Sequence, residues 1–171
     1  DIEDKDFNRC DVTLDVVDQL YDVLLFARIR GEAMGSSAKV NKLHAHITPG
    51  EYSWIGASSG VRGLNFNYVV TQDECAAELY IDRGKDADAE NKAIFDQLHG
   101  RKDVIESNFG QPLSWERLEG KRACRIRHTQ TSGGYRTPEE YWPSVQDGII
   151  KSMDHLEKAL SPHLKQLKLG V

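Results

Sequence analysis

Residues 90–128 read ENKAIFDQLHGRKDVIESNFGQPLSWERLEGKRACRIRH, and this run decides the architecture. Ile94, Phe95 and Leu98 fall at helical spacing, and Gly100 ends that segment. A shorter helix around 103–108 stops at Gly110 and Pro112. Leu113–Leu118 and Lys121–Thr129 then read as two strands joined by Glu119-Gly120.

Upstream, three short strands precede the helices. Residues 51–57 carry Tyr52 and Trp54 on one face. Leu64–Val70 alternates, with Leu64, Phe66, Tyr68 and Val70 on one side and Asn65 and Asn67 on the other. Cys75–Asp82 repeats the pattern with Cys75, Ala77, Leu79 and Ile81 inward. The turn-rich links 58–63 and 71–74 predict an antiparallel meander. Asp86 or Asp88 is the expected cap of the following helix. Before the meander, Val16, Val17, Leu20, Val23, Leu24 and Leu25 recur helically between Val12 and Met34, and Gly35 closes that helix. After the hairpin, Thr137-Pro138-Glu139-Glu140 has the form of a capped helix start. Trp142, Val145, Ile149, Met153, Leu156 and Leu160 form the stripe of the last helix. Pro143 is expected to kink its first turn or move the start to Ser144.

The order is therefore α-β-β-β-α-α-β-β-α, an α+β fold with a largely antiparallel sheet packed by helices. Residues 1–10 read as an acidic tail or linker remnant and 11–171 as a single domain. The 171 residues suffice for a substantial core, and Trp115, Phe95, Leu98, Ile126 and Ile149 are expected to share it. No apolar run approaches the roughly 20 residues that span a bilayer, so no membrane partner is expected. The start at Asp1, without methionine or leader, reads as a trimmed or processed piece. Cys10, Cys75 and Cys124 form no CxxC pair, which points to a reducing, cytoplasmic setting without a zinc site or disulfide framework.

The net charge is −5, but it is unevenly placed. Eight acids, from Asp1 to Asp22, face only Lys5 and Arg9 in the first 22 residues. Lys121, Arg122, Arg125, Arg127 and Arg136 then occur in a stretch without a carboxylate. Arg125 and Arg127 share the outward side of their strand, about 7 Å apart, a spacing that suits neighbouring backbone phosphates. These five cations are the candidate nucleic-acid-binding residues. The competing reading pairs them with Glu116 and Glu119 of the adjoining strand, a common cross-strand arrangement.

Other candidates are plainer. The loop 56–63 with Arg62 offers backbone N–H groups to an anion or is simply a hairpin turn. His44 and His46 share a face but lack a third ligand, so no metal is assigned. Cys124 lies between arginines that favour a thiolate, or it is an inert core thiol. No cofactor motif occurs.

Helix, three-stranded meander, helix and strand resemble the core of PD-(D/E)xK nucleases, which hold a divalent metal with an acid on the second strand and an acid-x-lysine pair on the third. Here the third strand reads Glu78-Leu79-Tyr80, the second ends Val69-Val70-Thr71, and Glu90-Asn91-Lys92 is helical. A degenerate core of that type is compatible with the order; catalytic residues are not assigned. The Asn-Lys…Phe-Asp…Leu and Leu-x-Trp-Glu-Arg-Leu phrases, with Ala77–Ile81 and the final helix through Pro162, resemble the bacterial and archaeal family called domain of unknown function 4268, over about residues 30–167. The resemblance implies an accessory domain, often C-terminal to a restriction-endonuclease-like region, of a nucleic-acid-processing or phage-defence protein. Three readings follow. The first is a non-catalytic module contacting nucleic acid weakly and non-specifically through the hairpin. The second is an interaction domain, docked on an upstream nuclease or a second copy by its final helix or Trp54 face. The third is a divergent nuclease using Asp73, Glu78 or Asp82.

Overall fold

In a computed structural model of the chain, the described residues are Tyr21, Leu25, Arg28 and 54–170. The strands are β1 (Trp54–Ser58), β2 (Leu64–Val70), β3 (Cys75–Ile81), β4 (Ser114–Glu116) and β5 (Cys124–Gln130). The helices are α1 (Asp88–His99), α2 (Lys102–Phe109) and α3 (Trp142–Leu164), the last preceded by a 3-10 turn over Glu139–Tyr141. Tyr21, Leu25 and Arg28 are helical, whereas the rest of the expected first helix, with Tyr52, His44 and His46, lies outside the described residues.

The five strands lie in the order β1-β2-β3-β5-β4, every neighbouring pair antiparallel. β1 to β3 form the expected meander. The chain leaves β3 through α1 and α2, enters the far edge as β4, and turns back so that β5 fills the gap. β3 and β4 thus run in the same direction with an antiparallel strand between them, a split crossover.

The inner face of the sheet carries Leu64, Phe66, Tyr68 and Val70 of β2, the inward residues of β3, and Cys124 and Ile126 of β5. Ile94, Phe95 and Leu98 of α1, Ile105 and Phe109 of α2, and the α3 stripe from Trp142 to Leu164 pack on it. Phe95, Leu98, Ile126 and Ile149 share this core, as their spacing requires. Trp115 is only partly buried at the β4 edge, edge-on to Phe95 at a centroid distance of 6.1 Å. Tyr21 meets Trp142 edge-on at 5.0 Å, and Arg28 pairs with Asp147.

Several boundaries move for local reasons. Ala87, not an aspartate, stands at the α1 N-terminus and makes no side-chain cap; Asp86 instead adopts φ 63° in the preceding turn. Gly100 stays right-handed, so α1 passes almost directly into α2. Gly110, at φ 97°, ends α2 as a left-handed cap. Thr137 does not cap α3. Its hydroxyl accepts the Gly134 N–H, and the helix opens at Trp142, where Pro143 in the first turn has no ladder bond to lose. Among the described residues, no helix is long and apolar enough to cross a membrane.

Candidate functional site

The outer face of the sheet holds the polar residues that the sequence marks. Register aligns Gly56, Asn67, Glu78, Arg127 and Ser114 in one row across all five strands, and Ser58, Asn65, Tyr80, Arg125 and Glu116 in the next. Alternation therefore puts Arg125 and Arg127 outward, as expected. Their exposure is the correction: Arg125 is 8% exposed, and Arg127 is mostly covered. Arg125 binds the Glu116 carboxylate through Nε. Arg127 lies 3.9 Å from Glu78, whose other oxygen accepts the Asn67 amide at 3.3 Å. Burial pulls the Arg127 guanidinium below its ordinary pKa, and the Glu78 charge opposes that. Gly56 is required beside Asn67, because a Cβ there would sit 2.5 Å from the amide oxygen and 3.0 Å from the Trp54 ring.

Arg122 is likewise held, by two hydrogen bonds of 2.9 Å to both oxygens of Asp82. Glu119 pairs with Arg117, not with the strand arginines. Of the five candidate cations, only Lys121 and Arg136 keep side chains without a carboxylate among the described residues. They lie beyond opposite ends of β5, roughly 20 Å of strand apart. The five do not form one patch.

The acids do not converge either. Asp73 is in the exposed turn between β2 and β3, Glu78 lies between Asn67 and Arg127, and Asp82 is engaged by Arg122 and the Gly84 N–H. Among the described residues, no three of His, Cys, Asp and Glu gather as metal ligands. The loop 58–63 is a hairpin connection whose Gly60 and Val61 N–H groups are taken by the Ser58 and Ser59 hydroxyls.

Asn91 and Lys92 have a structural role that sequence alone did not disclose. The Asn91 side chain accepts the Arg83 N–H at 3.0 Å and donates to the Arg122 carbonyl at 3.2 Å. Lys92 Nζ reaches the carbonyls of Arg117 at 2.6 Å, Lys121 at 2.7 Å, Leu118 at 3.0 Å and Ala123 at 3.1 Å. These carbonyls are drawn away from ladder pairing, and Leu118 takes φ 61°, so β4 and β5 are shorter at this end than their alternation predicts. Cys124 beneath the ammonium is fully buried; burial raises its pKa, although Lys92 opposes the rise. It is a core thiol.

A second polar cluster was not visible in the sequence. At the junction of α1 and α2, Arg101 Nη1 donates to Gln166 Oε1 at 2.7 Å and lies 3.3 Å from His163 Nδ1. The Gln97 amide fixes the backbone of Lys168 through two bonds. Arg101, His163, Gln166 and Lys168 thus surround a cavity of about 360 Å³ over Leu98 and Leu167. Arg101, Lys102, Lys165 and Lys168 make no ion pair among the described residues, with Asp103 and Glu106 the nearby acids in α2. The separate Arg101-Lys102 and Lys165…Lys168 pairs were the available sequence signal.

These features define an antiparallel α+β domain with helices on one sheet face and a paired-charge ladder on the other. The chain belongs to the family described as domain of unknown function DUF4268, whose model matches residues 31–164. No curated protein and no solved structure matches it. The matched segment contains Asn91, Lys92, the hairpin and Arg101, and ends before Gln166 and Lys168.

Proposed function

We propose that this domain is a non-catalytic accessory module of a nucleic-acid-processing or phage-defence protein. Its contact with nucleic acid falls at the Arg101–Lys168 end and not on the hairpin. The observation that carries this reading is the partition of cations. Arg122, Arg125 and Arg127 are held by acids, whereas Arg101, Lys102, Lys165 and Lys168 make no close ion pair among the described residues, Lys102 acting on Glu106 only through its charge. A free cation neutralises a phosphate and releases condensed counterions; a paired one must first lose its acid.

Fluorescence anisotropy with a labelled duplex at rising salt tests the proposal. Binding is expected at micromolar affinity or weaker, since the net charge of −5 opposes approach. The log K against log salt slope should lie near about −3 for three or four contacts. Lys165→Glu with Lys168→Glu should abolish binding, and Lys121→Glu with Arg136→Glu should leave most of it. Absence of any salt-dependent binding overturns the reading. Loss confined to the Lys121/Arg136 variant returns the contact to the hairpin. Among the described residues, the large exposed apolar side chains Val104, Tyr141 and Leu169 are scattered over three segments.

A further inference from the structure

We infer that the cavity between the α1–α2 junction and the segment after α3 is a binding site for a phosphomonoester, with Arg101 as its anchor. For its natural ligand, the inference rests on the polyanion reading above. The cavity itself stands independently of that reading.

Three features carry it. First, Arg101 uses only one terminal nitrogen, on Gln166 and His163; its Nε and other Nη make no hydrogen bond among the described residues. Those two N–H groups form the fork that grips two oxygens of a phosphate. Second, Arg101 only donates, so the nearby His163 Nδ1 serves as acceptor and the neutral ring carries its proton on Nε2, leaving a further donor. Burial and then the Arg101 charge lower the pKa of His163. Third, no carboxylate lines the cavity among the described residues, while Lys168 adds another cation and Leu98 and Leu167 an apolar floor.

The volume of about 360 Å³ falls within the range of small-molecule sites, roughly 300–1,000 Å³, and exceeds what a bare phosphate needs. The apolar floor fits an organic body attached to the phosphate. A terminal nucleotide and a free small phosphomonoester share this chemistry. Gln97 holds Lys168 by its backbone, so the wall is preformed.

The test is an NMR titration of the whole chain with inorganic phosphate at constant ionic strength, following the His163 ring signals. Saturable shifts are expected, together with a rise in the His163 pKa, because a bound dianion favours the charged ring. Arg101→Gln, at an exposed position, should weaken phosphate binding by about tenfold or more while the fold persists. Absence of saturable shifts, or equal shifts in the Arg101→Gln variant, overturns the site. A second arm compares oligonucleotides with a 5′-phosphate and a 5′-hydroxyl: tighter binding of the first identifies a nucleic-acid terminus as the source. Equal affinities with phosphate binding intact assign the pocket to a free phosphomonoester. Phosphate binding without any duplex binding refutes the accessory-module reading and leaves the site standing.

Discussion

Four backbone carbonyls, those of Arg117, Leu118, Lys121 and Ala123, converge on the ammonium of Lys92, which has three N–H donors to share among them. The cation replaces the ladder bonds that this part of the hairpin does not make. Removing it leaves several carbonyls poorly satisfied, and Lys92→Met should cost about 2–4 kcal/mol in urea denaturation. Lys92→Arg should not restore the loss, because a planar fork cannot aim at acceptors gathered around a point. A Lys92→Arg variant with wild-type stability shows that charge alone suffices there. Asn91-Lys92 is conspicuous in the sequence, but its task was not legible. Main-chain carbonyls carry no residue identity, so nothing in the recipient segment announces them.

At the scale of the element, the hairpin formed by β4 and β5 is a braced edge and not a free arm. Trp115 lies half-covered between Phe95 and His99, and its Nε1 donates to Glu106 at 2.9 Å. Trp115→Ala should therefore cost about 2–3 kcal/mol by thermal unfolding, below the range for a fully buried aromatic ring. An unchanged melting temperature would show that the edge strand contributes nothing. Arg125→Glu with Arg127→Glu tests the outer face. Each new carboxylate faces Glu116 or Glu78 in a largely dry setting, so a loss of about 3–5 kcal/mol is expected instead of a folded variant that only loses binding. A folded double mutant of near wild-type stability overturns the pairing. The sequence supplied the outward direction of both arginines and one true partner, Glu116. It missed Asn67 and Glu78 as neighbours of Arg127, because register across three strands is a tertiary property.

At the scale of the whole molecule, α3 and the sheet meet around groups that make stability depend on pH. Burial, then the Asp154 charge, pushes the Glu157 carboxyl up from 4.5 to about 8. A raised folded-state value means that the folded chain keeps a proton that the unfolded chain releases. The contribution of Glu157 is thus fully present below pH 4.5, declines between pH 4.5 and about 8, and is level above that. The unfolding free energy from urea titrations should fall over this interval by an amount on the order of a few kcal/mol, and Glu157→Gln should flatten the decline and stabilise the domain at the alkaline end. A profile identical in the variant removes Glu157 as the cause. Asp96 and Glu106, whose pKa values are lowered by hydrogen bonds from Arg117 and the Leu113 N–H, act in the opposite sense and at lower pH. By itself the sequence determined the meander, with β2 at Leu64–Val70, the stripes of α1 and α3 and the inward sets of β2, β3 and β5, since a period of two or 3.6 fixes the side on which each side chain lies. Only the tertiary structure decided what occupies that side. It covered the outward face of β5, tied Lys92 to a distant loop, and joined Arg101 to Gln166 across 65 residues. Periodicity is a property of neighbours along the chain, whereas burial, charge pairing and cavities are set by residues that meet only when the layers close.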